Sequence, residues 1–154
     1  MQKLDYIRKG YNAISPSLAF KNAPEAIAWY KKIFGAREVL CMKNPDGSIA
    51  HAELQMGDSV LMLAEDDPRY NQSPATLGGT PVILNLYVPD ADIVVAQACQ
   101  EGAEVIRPLQ DQFYGDRSAR IRDPFGYLWF ISAVKEDIDG AEMVKRFDKM
   151  VSGS

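Results

Sequence analysis

Apolar and polar positions along this chain switch between two periods, and the order of the switches occurs twice. Residues 15–21 read as a strand. Asn22 is placed to cap a helix, and Ala23, Ala26, Ile27, Tyr30 and Ile33 then recur at helical spacing until Gly35 stops the run. Residues 36–43 return to strand character. Asn44-Pro45-Asp46-Gly47 is hairpin-turn chemistry, because proline presets φ and glycine accepts a positive one. Strands over 48–56 and 58–64 follow, joined tightly at Gly57-Asp58. The order is β-α-β-β-β.

The second half repeats it, with a strand over 82–88, a helix over 91–101 ending at Gly102, and strands over 103–108, 117–123 and 127–134. Setting Gly35 on Gly102 brings Val39 near Val105 and, after one small gap, Gly57 onto Gly126, a fixed offset of about 67 to 69 residues. Such repeated units bury their hydrophobic faces together and tend to enclose a site. The predicted fold class is α+β: a single domain of two βαβββ modules, about 13–64 and 82–134. The linker over 65–81 carries Pro68, Pro74, Gly78 and Gly79. A last amphipathic helix, about 140–150, has Met143, Val144 and Phe147 on one side and is expected to cap the domain or meet a partner chain.

Composition narrows the function classes. A chain of 154 residues can fold without staples, burying roughly 70% of the surface its unfolded form exposes. Asp and Glu number 21 against 17 Lys and Arg, a net charge of −4 without long runs, which argues against nucleic acid or a membrane as partner. The first residues lack an apolar core for export, and no apolar window reaches about 18 residues, so a cytoplasmic location is expected. Cys41 and Cys99 lie in apolar segments without CxxC spacing and are expected to be reduced, buried thiols.

The chain resembles the vicinal oxygen chelate superfamily of glyoxalase I, extradiol dioxygenases and bleomycin-resistance proteins, all built from paired βαβββ modules. The segments HAELQMGDSVLMLAED and DQFYGDRSARIRDPFGYLWFISAVKED are similar to its PhnB-like branch, and the resemblance covers about residues 13–150. It implies a homodimer, since many relatives complete their sites with a second subunit. In metal-using members the first and last strands of each module each supply one ligand, usually His or Glu, around a divalent ion. Imidazole and carboxylate suit such ions, and an open position can polarise substrate oxygens. The corresponding positions here are Ser15, Leu61 or Met62, Ile83 with Asn85 as its nearest polar neighbour, and Phe130. This set has no good ligand, so no metal cofactor is expected.

His51 is the only histidine, and period-2 alternation puts it on one strand face with Glu53 and Gln55, while Ala50, Ala52, Leu54 and Met56 take the other. The pair is either an acid-base device in a cavity or an ordinary polar face. A metal site on His51 and Glu53 needs at least one further ligand that the sequence does not identify.

The second module offers Gln112, Phe113, Tyr114, Asp116 and Arg117 in a loop and strand start, then Trp129 and Phe130 on opposite faces of the last strand. Aromatic area beside polar groups is pocket composition, though one of Trp129 and Phe130 must be core. Asp116 and Arg117 either orient a ligand or form a local ion pair. Asp123-Pro124-Phe125-Gly126 reads as a structural turn.

No GxSxG elbow, HExxH, Walker loop or dinucleotide GxGxxG is present. Two function classes remain. The first is a metal-independent binder of a small aromatic or polar organic molecule, in a cavity or dimer groove, using residues among His51, Glu53, Asn85, Phe113, Tyr114, Arg117, Trp129 and Phe130. The second is a lyase, isomerase or dioxygenase with a displaced divalent-metal site or with His51 and Glu53 as acid and base.

Overall fold

The helical run after Asn22 forms as its spacing predicts. In the computed structural model, which describes residues 6–153, β1 (Ser17–Phe20) leads into α1 (Ala23–Phe34). The Asn22 side chain accepts the Glu25 backbone N–H at 3.3 Å. Gly35, at φ 66°, ends the helix with its N–H directed at the Tyr30 carbonyl, a left-handed position that suits glycine. The apolar stripe of α1 is buried, and Tyr30, fully enclosed, packs edge-on to Phe20 with centroids 5.9 Å apart.

Two compact units divide the chain, one ending at Gly79 and one starting at Thr80. The first continues with β2 (Arg37–Lys43), β3 (Ile49–Met56) and β4 (Ser59–Glu65). Its sheet has the order β1-β4-β3-β2, with β1 parallel to β4 and the other pairs antiparallel. The Asn44–Gly47 turn closes as expected, Gly47 donating to the Asn44 carbonyl at 2.9 Å. Ala52, Leu54 and Met56 are buried, but Ala50 is exposed. A register shift at Met42/Lys43 interrupts the pairing beside it, so the expected alternation fails at that end of the strand. β1 also begins at Ser17, leaving Ser15 just outside the strand.

The linker holds an element its composition did not predict. Ser73 caps a short helix, α2 (Pro74–Leu77), and Asp66 accepts hydrogen bonds from the Ser73 backbone, the Ser73 hydroxyl and the Thr76 hydroxyl. Proline at the first helical position needs no N–H partner, so the residue that marked a linker here starts a helical turn.

The second unit comprises β5 (Ile83–Tyr87), α3 (Ala91–Gln100), β6 (Glu104–Asp111), β7 (Asp116–Arg122), β8 (Leu128–Val134) and α4 (Gly140–Val151). Its sheet order, β5-β8-β7-β6, repeats that of the first, again with one parallel pair, β5 and β8. β6 runs on past Pro108, where residues 103–108 alone were expected, because a second register shift between Arg107 and Gln110 absorbs the proline, which has no N–H to give the ladder. Asp123 organises the turn before β8, its carboxylate accepting from the Phe125 and Tyr127 backbones at 2.9 and 3.0 Å and from Trp129 Nε1 at 2.9 Å.

The cysteines depart from expectation. Cys41 is half-buried and Cys99 exposed, both free. The apolar segment around Cys99 is the helix α3, whose buried face is carried by Ala91, Val95 and Ala98, so Cys99 falls on the outer side. Among the described residues no helix is long and apolar enough to cross a membrane.

Candidate functional site

Register places the two candidate sites at the same position in the two sheets. In the first unit a transverse row runs Ser17, Met62, Glu53, Leu40. In the second it runs Asn85, Phe130, Arg120, Arg107. These side chains share the face opposite the buried one formed by Ala52, Leu54 and Leu63 in the first sheet and by Ala119, Ile121 and Ile131 in the second.

In the first unit a cavity of about 480 Å³ is lined by residues that include Tyr11, Ser15, Glu53 and Met62. Only 6% of Glu53 is exposed, and both its oxygens are engaged. The Tyr11 hydroxyl donates to Oε2, and His51 Nε2 lies 2.9 Å from Oε1. Burial pushes the Glu53 carboxyl up, but the hydrogen bonds from His51 and Tyr11 outweigh it and hold the group below its ordinary value. The same bond to Glu53 raises the Tyr11 hydroxyl. His51 and Glu53 therefore form the expected pair, yet His51 stands behind the carboxylate and Tyr11 takes its place at the cavity wall.

In the second unit a cavity of about 600 Å³ is lined by Phe113, Tyr114, Phe130, two arginines, Gln110, Gln112, Ser118 and Met150 of α4, among others. Among the described residues its lining contains no Asp or Glu. The Arg120 guanidinium carbon sits 4.6 Å from the Phe130 ring centroid, a cation–π contact. Its buried Nε has no hydrogen-bond partner among the described residues. Along the wall Gln110 donates to Gln112 Oε1 at 3.2 Å, and Gln112 Nε2 donates to the buried Ser118 hydroxyl at 3.1 Å. Phe113 is wedged between Tyr114 and Phe147, with centroids 5.2 and 5.8 Å away, and its carbonyl accepts from Arg146 at 3.2 Å. The rim of this cavity is thus tied to α4.

The sequence candidates divide accordingly. Phe113, Tyr114 and Phe130 line the second cavity. Asn85 is exposed on the same sheet face, beside Phe130. Trp129 faces the other way, 3% exposed and bonded to Asp123, so it is the core member of the pair. Arg117 also points away, clamped by Asp92 at 2.8 and 2.9 Å and by Asp111 at 3.2 Å. The expected Asp116–Arg117 pair does not form, because adjacent strand residues point to opposite faces, and Asp116 instead accepts from the Tyr87 hydroxyl at 2.8 Å. Arg120, Arg107, Gln110, Ser118, Met150 and Tyr11 were not anticipated. The alternation Ser118, Arg120, Arg122 against Ala119 and Ile121 carried a signal for Arg120.

Register also distinguishes among the residues at the positions that the sequence resemblance implied for metal ligands. Met62, not Leu61, faces the first cavity, since Leu61 pairs with Leu54 on the buried face. A hydroxyl at Ser15 or Ser17, the Met62 thioether, an aliphatic at Ile83 beside the Asn85 amide, and the Phe130 ring do not fit a divalent ion that wants imidazole or carboxylate. Among the described residues no group of three or more His, Cys, Asp or Glu side chains is arranged to hold one.

Residues 6–131 match the Glyoxalase/Bleomycin resistance protein/Dioxygenase superfamily. An uncharacterised protein of Mycobacterium bovis is 36% identical over 135 residues, covering 85% of this chain and 89% of its own. Among solved structures, TioX from a Micromonospora species is 30% identical with a TM-score of 0.64, covering 80% of this chain and 98% of that one. The fosfomycin resistance protein FosX of Listeria monocytogenes, solved with Mn(II) and sulfate, shares the fold at 16% identity and a TM-score of 0.62, covering 88% and 97% of the two chains. With most of its length matched in sequence and in topology, this chain belongs to the Glyoxalase/Bleomycin resistance protein/Dioxygenase superfamily.

Proposed function

We propose that the protein binds a small aromatic or polar organic molecule without a metal, in the cavity of its second unit. One observation carries this reading: the cavity combines Phe113, Tyr114 and Phe130 with amide, hydroxyl and guanidinium donors, and its Phe113 rim is bonded to α4 through Arg146. Its volume of about 600 Å³ falls within the range of about 300 to 1,000 Å³ usual for ligand pockets. Aromatic faces supply contact area, and a few fixed polar groups supply orientation.

A metal-free lyase, isomerase or dioxygenase is less well supported. Among the described residues Glu53 is the one carboxylate at the wall of the first cavity, and two donors hold it below its ordinary value, which makes it a weak base near neutral pH. A second copy of the chain remains the proposed partner, supported by the exposed Val144, Phe147 and Val151 on α4. A monomeric mass in sedimentation at micromolar concentration would count against it.

Calorimetric titration of chelator-treated protein against a panel of aromatic and polar organic compounds tests the binding reading. Saturable binding, weakened about tenfold or more by Phe130→Ala, is expected. Binding that needs an added divalent ion, or no binding by any compound, contradicts it.

A further inference from the structure

We infer that the molecule held in the second-unit cavity is an organic oxyanion, with its carboxylate against Arg120 and Arg107. The inference rests on the binding reading above and adds the charge of the ligand. Arg69, Arg117, Arg122 and Arg146 each have a carboxylate partner within 3.2 Å. No such partner serves Arg107 or Arg120 among the described residues, although acids outnumber bases in the chain; Arg8 and Arg37 also lack one, but they lie in the first unit, over Tyr11 and bonded to Gln55 respectively. These two guanidinium groups are register partners on β6 and β7, and both line the same cavity.

Arg120 is the more informative of the two. Its guanidinium carbon lies over Phe130, 4.6 Å from the ring centroid, a cation–π contact that holds the group against the cavity wall. The Nε–H is buried and lacks an acceptor in the protein. A buried donor without an acceptor is costly, and here it shows that the surrounding wall does not neutralise this guanidinium. The Nε is enclosed by the protein itself, so a carboxylate in the cavity pairs with the terminal N–H groups of Arg120, which no acceptor among the described residues occupies. Among the described residues no lining side chain is acidic, so none of them repels an anion. Gln110, Gln112 and Tyr114 add neutral groups around it, and the aromatic side chains leave room for an apolar body.

The identity of the natural ligand is not needed for the test. Full-length protein treated with chelator is titrated with benzoate, its neutral isostere benzamide, and acetate, while the Arg120 Nε–H and the Gln110 and Gln112 side-chain amides are followed by NMR at neutral pH. Benzoate is expected to bind at least tenfold more tightly than benzamide, to shift the Arg120 Nε–H, and to weaken as salt is raised. Arg120→Gln should lose at least tenfold in benzoate affinity and little for benzamide. The wild-type comparison of the two ligands stands even if that variant fails to fold. Benzamide binding as tightly as benzoate would overturn the oxyanion assignment and leave the small-molecule reading intact. Acetate acting on Arg120 as strongly as benzoate, with benzamide inert, would support the oxyanion site and overturn the aromatic cavity. Silence from all three probes would overturn both.

Discussion

Glu53 and Arg120 occupy the same register position in the two sheets, Glu53 facing Met62 across β3 and β4, Arg120 facing Phe130 across β7 and β8. Two copies of one topology thus place opposite charges at equivalent points. In one copy the charge is satisfied internally, by Tyr11 and His51; in the other it leans on an aromatic ring with a donor to spare. The asymmetry makes the first site a self-contained polar cluster and leaves in the second the unneutralised guanidinium on which the proposed binding rests.

The Glu53 cluster gives a pH dependence with a definite sign. Its folded carboxyl lies below the ordinary value, so its share of stability is present above an unfolded value of about 4.3 and is lost as pH falls through the folded one. Urea unfolding of wild type and Glu53→Gln at pH 7, 5 and 3.5 should show a gap favouring wild type at pH 7 that narrows toward pH 3.5. A gap that does not change with pH would contradict this role.

Asp123 accepts from two backbone N–H groups and from the Trp129 indole while itself 3% exposed. Removing it strands buried donors, each costing about 1 to 3 kcal/mol. Asp123→Ala should therefore lower unfolding free energy by about 3 kcal/mol and quench or shift Trp129 fluorescence, with Asp123→Asn costing less because one oxygen remains. Equal stability of the alanine variant in urea titration would refute the structural assignment of this turn.

Gly115 directly follows Phe113 and Tyr114, two residues that line the second cavity. It adopts φ +96°, its carbonyl accepts the Lys135 and Glu136 N–H groups at 2.8 and 2.9 Å, and a Cβ there would lie 2.4 Å from the Glu136 carbonyl oxygen. Gly115→Ala should cost about 1 to 3 kcal/mol in stability and displace Phe113 and Tyr114, so affinity for any cavity ligand should fall along with it. A thermal melt matching wild type would show that the turn tolerates a side chain.

Arg146 ties α4 to the cavity rim through Glu136, at 3.0 Å to each oxygen, and through the Phe113 carbonyl. Exposed ion pairs contribute little, about 0.2 to 1 kcal/mol each. Arg146→Ala should therefore leave global unfolding nearly unchanged while hydrogen exchange in residues 141–151 speeds up. Unaltered exchange there would mean that Phe147 and Met150 alone keep the helix seated.

The duplicated order of elements was legible because each unit repeats local signals: a capped amphipathic helix, a glycine stop, and alternating strands. The opposite faces of Trp129 and Phe130 also followed from period two, although only the bond to Asp123 shows which one is core. What the sequence withheld was long-range. Leu61 and Met62 are adjacent, and their roles separate only when β4 is set against β3. Tyr11 reaches Glu53 across 42 positions from a segment without regular structure, and Met150 joins the cavity from the last helix, so neither had a local marker. Arg120 stood in a readable alternation, but the absence of an acid beside it is a property of the folded wall. Arg117, three residues earlier, looks alike in sequence and is fully paired.

The most direct measurement is a chemical-shift map of chelator-treated protein titrated with its strongest-binding compound from the aromatic and polar panel. Saturating shifts should cluster at Gln110, Gln112, Tyr114, Ala119, Phe130 and Met150, unchanged by added Mn(II) or Zn(II). Shifts confined to Tyr11, His51 and Glu53, or appearing only once a divalent ion is supplied, would contradict a metal-independent binding cavity in the second unit.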